Sequence, residues 1–170
     1  MARTRLISDH DVFKQVLSLL LQDGEKSVTF SAISSATGLA PPTLVQRYGS
    51  CAAMISTAIA QAWDELDALA EAAALNATTQ SKGLPGLLKA LTGSIDAGAL
   101  LTLSQRRPDL TARASAWRNK VEQAIAARLE VSAKAKDTAA MIFAAWQGRM
   151  LWGNAGGKGF RLGEVIKRLG

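Results

Sequence analysis

The chain has 170 residues, 48% of them hydrophobic and 20% charged, a balance that supports a buried core and excludes a disordered chain. Its formal net charge of +6 favours a polyanionic partner through the long-range field of the protein. Cys51 is the single cysteine, which excludes an intrachain disulfide and a multi-cysteine zinc site, and no stretch approaches the roughly 18 uninterrupted apolar residues that a bilayer-spanning helix needs. Alanine and leucine dominate while valine, threonine and tyrosine are sparse, so local propensity favours helix over strand and an all-α fold is expected.

The charge is unevenly placed. Residues 1–50 hold Arg3, Arg5, Lys14, Lys26 and Arg47 against Asp9, Asp11, Asp23 and Glu25, and five minus four leaves +1 there and +5 on residues 51–170. The opening residues meet Asp9 and Asp11 before any apolar stretch develops, so neither a secretory leader nor a membrane anchor is expected and the reducing cytoplasm is the expected compartment.

Taken in chain order, Ser8-Asp9-His10-Asp11 has capping-box spacing, with a hydroxyl able to accept from the third helical amide and acids near the positive helix start. Val12, Phe13, Val16, Leu17 and Leu20 follow at helical spacing, and Asp23-Gly24 supplies a stop, so a helix is predicted over about 9–22. Thr29 caps a short second helix with Phe30, Ile33 and Ala36 facing inward, ended by Gly38. Pro41 and Pro42 restart the chain, because proline suits a first turn where its missing N–H has no intrahelical partner, and the third helix runs to about Tyr48. A long alanine-rich helix follows from Ser50 to near Asn76. Further helices are predicted at about 84–95, 97–105, 108–131 and 133–153, with a loop at Asn154-Ala-Gly-Gly-Lys-Gly and a last short helix from Leu162 to Leu169.

Two short helices joined by a glycine turn and preceded by a longer one have the layout of a helix-turn-helix, whose second helix must enter a major groove about 12 Å wide. The string from Val28 to Ser50, with Thr29, Ile33, Ala36-Thr37-Gly38, Thr43-Leu44, Tyr48 and Ser50, and with Met54 beyond it, resembles the DNA-binding head of the TetR (tetracycline-repressor-like) family. The resemblance covers roughly residues 6–70 by motif and the rest by helix order. It implies an all-α protein with a three-helix DNA-binding head, residues 1–50, joined by a long helix to an effector-binding and dimerisation body, residues 51–170. Ile33, Leu39, Leu44 and Tyr48 are then expected in the head's core, and Thr29, Pro41, Pro42, Thr43, Gln46 and Arg47 at DNA. Gln46 can pair bidentately with adenine, Arg47 can reach guanine or phosphate, the two threonines and the amides at each helix start can position phosphates, and Arg3 and Arg5 can form an N-terminal arm. Where the family has serine, tyrosine and lysine, this chain has Ala40, Val45 and Cys51; the loss of those phosphate anchors predicts weaker or more salt-sensitive binding.

In the body, Trp117, Met141, Phe143, Trp146, Met150 and Trp152 concentrate large soft side chains. Trp117, Phe143 and Trp146 are candidates to line an apolar effector pocket, and core packing accounts for their spacing equally well. Ala139, Ala140, Ala144, Ala145 and Gly148 permit close helix approach, and the resemblance implies that this helix and the last one form a homodimer interface, as a pseudo-palindromic operator requires. No phosphate-binding glycine loop, nucleophile elbow or paired metal-ligand motif is present, so neither an enzyme nor a cofactor is expected. His10 and Cys51 read as an ordinary surface residue and an inert small residue. The expected function is a ligand-responsive regulator, usually a repressor by resemblance, that binds a double-stranded DNA operator. The alternative is a helical sensor or scaffold dimer of the same fold that does not bind DNA.

Overall fold

The computed structural model describes residues 7–93, 95–129, 132–156 and 161–169. Helix α1, Asp9–Asp23, begins as the capping spacing predicts: the Ser8 hydroxyl accepts from the Asp11 amide at 3.2 Å and donates to the Asp11 carboxylate at 2.7 Å. That bond holds the Asp11 carboxyl below the usual carboxylate range. Its apolar face buries Val12, Phe13, Val16 and Leu20. A single 3₁₀ turn at Glu25–Ser27, tied back by the Ser27 hydroxyl to the Gly24 carbonyl, leads to Val28 and α2.

Helix α2, Phe30–Thr37, is capped by the Thr29 hydroxyl, which accepts from the Ala32 amide at 3.1 Å, and is closed by Gly38 at φ 76°. Helix α3, Pro41–Tyr48, starts on its two prolines. Helix α4, Cys51–Asn76, begins with the Ser50 hydroxyl accepting from Ala53. Ile33 and Leu44 are fully buried, together with Met54, Ile55, Ala58 and Ile59 of α4. Full burial of such side chains stabilises by roughly 1.5–3 kcal/mol each, which is how an eight-residue helix such as α2 or α3, too short to persist alone, is held. Leu39 and Tyr48 are half-buried.

The chain divides into two compact units, Met1–Ala62 and Trp63–Gly170. The division falls inside α4; the sequence reading sets its boundary at residue 50, where that helix starts. The second unit holds the rest of α4, a 3₁₀ turn at Ser81–Gly83, α5 (Leu84–Ala90), α6 (Ala97–Ser104), α7 (Pro108–Ala126), α8 (Ala135–Trp152), a 3₁₀ turn at Gly153–Ala155 and α9 (Leu162–Leu169). Helix α7 packs on α8 and α6, and α9 on α8 and α5. No strand occurs among the described residues.

Two helices end sooner than periodicity predicts. Helix α5 stops at Ala90 instead of about 95, because Thr92 turns its hydroxyl back onto the Leu88 carbonyl and Asp96 is needed as the cap of α6, where it accepts from the Gly98 and Ala99 amides. Helix α7 stops at Ala126 instead of about 131, because Arg128 leaves the helical path and folds inward. The expected arm residues Arg3 and Arg5 lie outside the described residues, as does the end of the glycine loop at 157–160. No described helix is long and apolar enough to cross a membrane.

Candidate functional site

In the first unit the six side chains expected at DNA separate into two groups. Thr29, Pro41, Pro42 and Gln46 are exposed. On α3, positions 41 and 45, and 42 and 46, align by their four-residue spacing, and the edge away from Gln46 carries Leu44, fully buried, and Tyr48, half-buried. Gln46 lies nearly opposite the buried edge, so its amide is the most outward polar group of the helix. Val45, 46% exposed, stands on the same face; as an apolar side chain beside Gln46 it can meet a thymine methyl. The sequence reading noted Val45 only as a missing tyrosine, and its exposure is the signal that places it on the face.

Thr43 and Arg47 form the second group. Thr43 is half-buried. Arg47 donates from Nη1 to the Ile7 carbonyl at 3.2 Å and stands 3.6 Å from the Asp9 carboxylate. The Tyr48 hydroxyl donates to the same carboxylate at 2.5 Å, and its ring packs against Phe13 with centroids 5.5 Å apart. Helix α3 is thus clasped at its last turn to the first turn of α1 through Asp9. Burial, with the Asp9 carboxylate second, pushes the Tyr48 phenol up to about 12. At the same end of α1, His10 Nδ1 and Gln61 Nε2 are 2.9 Å apart, so His10 joins α1 to α4. No sequence pattern announces these contacts, since their partners lie 39 to 51 residues apart.

The amides at the two helix starts differ. At α2 the Ala32 amide is taken by the cap, and the Phe30 and Ser31 amides open the helix. At α3 the expected amide donors are missing: Pro41 and Pro42 have no N–H, and those of Thr43 and Leu44 both donate to the Ala40 carbonyl, at 2.9 and 3.3 Å. Charge is also thin. Residues 1–62 carry Arg3, Arg5, Lys14, Lys26 and Arg47 against Asp9, Asp11, Asp23 and Glu25, and five minus four is only +1.

The second unit contains a cavity of about 420 Å³ walled by α4, α6, α7 and α8, within the range of small-molecule sites. Trp63, Trp117 and Phe143 line it, with Leu101 and Arg118. Of the three expected pocket residues, Trp117 and Phe143 are therefore on the wall, while Trp146 packs behind them, 6.3 and 5.9 Å from their rings, and lines a separate groove beside α9. Trp63, absent from the expectation, completes the wall 5.8 Å from Trp117. Both indole N–H groups are satisfied inside the protein: Trp63 donates to the Ser104 hydroxyl at 3.0 Å and Trp117 to the Leu66 carbonyl at 3.1 Å. The α7 side of this unit is fixed to α4 by Lys120, bonded to Asp67 and Glu71, and by the Arg113–Asp64 pair.

Arg128, only 5% exposed, lies at the far end of α4. Its guanidinium donates to the carbonyls of Ala74, Ala77, Thr78 and Ala124 at 2.5 to 3.1 Å. It closes the unsatisfied carbonyl end of the long helix and sits where the helix dipole is negative.

One unit thus presents a short helix after a glycine turn, and the other contains an aromatic cavity. No family model and no curated protein sequence matches the chain. Among solved structures, it is similar to a TetR transcriptional regulator from Legionella pneumophila, at 15% identity with 99% of this chain and 96% of that one covered and a TM-score of 0.69. It is also similar to the multidrug binding protein EbrR complexed with imidazole, at 21% identity, 99% and 96% coverage and a TM-score of 0.61. The chain has the fold of the TetR-type regulators over essentially its whole length.

Proposed function

We propose that the protein is a DNA-binding transcriptional regulator, a repressor that binds a pseudo-palindromic operator as a homodimer and releases it when a small molecule occupies the body. The observation that carries the DNA-binding part is α3 itself: a two-turn helix set by a glycine turn, anchored by Leu44 and Tyr48, with Pro42, Val45 and Gln46 directed outward. Such a face reads bases, while Thr29 and the open start of α2 hold phosphate. The fold shared with a TetR regulator and with a multidrug binding protein supports the same reading. The dimer rests on α8 and α9, where Met141, Met150, Leu151 and Trp152 are exposed on α8, a concentration of large apolar side chains that a second copy would cover. The aromatic cavity of the body is the effector site.

The test is retention of genomic fragments by the intact protein at low salt, followed by operator binding across a salt series. Specific retention is expected, weak and with a shallow salt slope in place of the greater salt sensitivity expected from the missing anchors, because few cations stand at the reading face and each phosphate neutralised contributes roughly one unit. Gln46→Ala should cost about 1–3 kcal/mol on the selected operator. A protein that retains no fragment at low salt would instead be the helical sensor or scaffold dimer, a reading favoured by the net charge of only +1 on residues 1–50, five cations minus four acids.

A further inference from the structure

We propose that the cavity of the second unit selects a planar aromatic anion, its rings held among Trp63, Trp117 and Phe143 and its carboxylate on Arg118. The proposal rests on the reading of this cavity as a ligand site and adds the chemical class of the ligand. Three observations combine. The aromatic wall is apolar in what it offers a guest, because both indole N–H groups are spent on Ser104 and Leu66, which leaves ring faces and edges. The tilted Trp63–Trp117 pair at 5.8 Å and the edge-to-face Trp117–Phe143 pair at 5.9 Å form one continuous aromatic wall on which a flat ring system can pack.

The second observation is charge. Among the described residues, Arg118 is the one charged residue on the cavity wall, and no carboxylate lines it. A cationic guest would find a like charge and no carboxylate on the described wall, whereas an anion gains a charge-assisted bond.

The third is the posture of that guanidinium. It lies over the Phe143 ring, 5.6 Å from the centroid, and Glu122, one turn further along α7, accepts from its Nε at 2.7 Å. Glu122 does not line the cavity. The Nη donors have no other partner among the described residues, so the fork is held from behind with its outer edge available. A fork so fixed matches the two oxygens of a carboxylate in one plane. Neutral polar groups, Ser115 and Gln147, complete the wall for further polar atoms of the guest.

Isothermal titration calorimetry on the intact chain with three probes of one shape, 1-naphthoate, 1-naphthalenemethanol and 1-naphthylmethylammonium, tests the class. Naphthoate is expected to bind at least tenfold more tightly than the alcohol, and the ammonium more weakly than both. Arg118→Met should bring naphthoate to the level of the alcohol while leaving alcohol binding within about twofold. Gly148→Phe, at a wall position where an added side chain meets open space, should abolish binding of both. An ammonium or alcohol that binds as tightly as naphthoate, or a preference for naphthoate that survives Arg118→Met, overturns the anion assignment and leaves the cavity reading standing. Binding that survives Gly148→Phe, or no binding by any probe, overturns the cavity reading and the assignment with it.

Discussion

Tyr48 is the only tyrosine in the chain, so alkaline absorbance titration at the phenolate band reads one residue in the last turn of α3. Its phenol is half-buried against Phe13 and donates to the Asp9 carboxylate at 2.5 Å. Burial is the larger cause and the Asp9 carboxylate the second, and together they push the phenol from 10.0 to about 12. The unfolded phenol titrates near 10, so below that pH the full stabilisation is present, and it is lost as pH rises through 12. Two units correspond to about 2.7 kcal/mol; with partial solvent access screening the Asp9 contact, a loss on the order of 1–2 kcal/mol is expected across that window. Asp9→Asn should lower the midpoint only part of the way toward 10, since the burial remains, and Tyr48→Phe should remove the phenolate signal and the stability loss over the same window. A wild-type midpoint near 10, with helical circular dichroism intact at that pH, would refute the clasp between α3 and α1.

Arg128→Met removes four charge-assisted bonds to carbonyls and strands the end of α4; we expect a loss of about 3 kcal/mol, with Arg128→Lys intermediate, measured by urea unfolding at fixed protein concentration. A change below about 0.5 kcal/mol at constant m would contradict the capping role. Ser104→Ala leaves the buried Trp63 N–H without its acceptor and should cost about 1–3 kcal/mol, with a shift of tryptophan emission that Ser104→Thr largely avoids. Thr29→Ala deletes the α2 cap and should cost about 1 kcal/mol; thermal unfolding would detect this as a drop of roughly 2–4 °C in Tm for a chain of this size.

Packing changes what the side chains of α3 are free to do. Arg47 looked like a base or phosphate contact because it is the only cation of the recognition helix, yet its guanidinium is bonded to Ile7 and stands beside Asp9. A DNA complex that used Arg47 would have to exchange those partners for phosphate or guanine. Gln46 needs no such exchange, and Val45, the apparent loss in the motif, stands exposed on the proposed reading face.

What the sequence determined by itself was everything that local chemistry decides. Ser8, Thr29, Gly38, Pro41 and Ser50 act through atoms within four residues of themselves, so the starts and stops of α1 to α4 were legible, and the 3.6-residue spacing of Val12, Phe13, Val16, Ile33 and Leu44 marked the buried side. The tertiary structure alone decided which polar groups are already engaged. The links of Asp9 to Tyr48, Trp63 to Ser104 and Arg128 to the end of α4 span 39 to 54 residues. They depend on the packing of helices at angles that no periodicity encodes. The same holds for the cavity, where helical spacing could mark Trp117, Phe143 and Trp146 as apolar but only packing could turn the first two, with Trp63, onto its wall and leave Trp146 behind it.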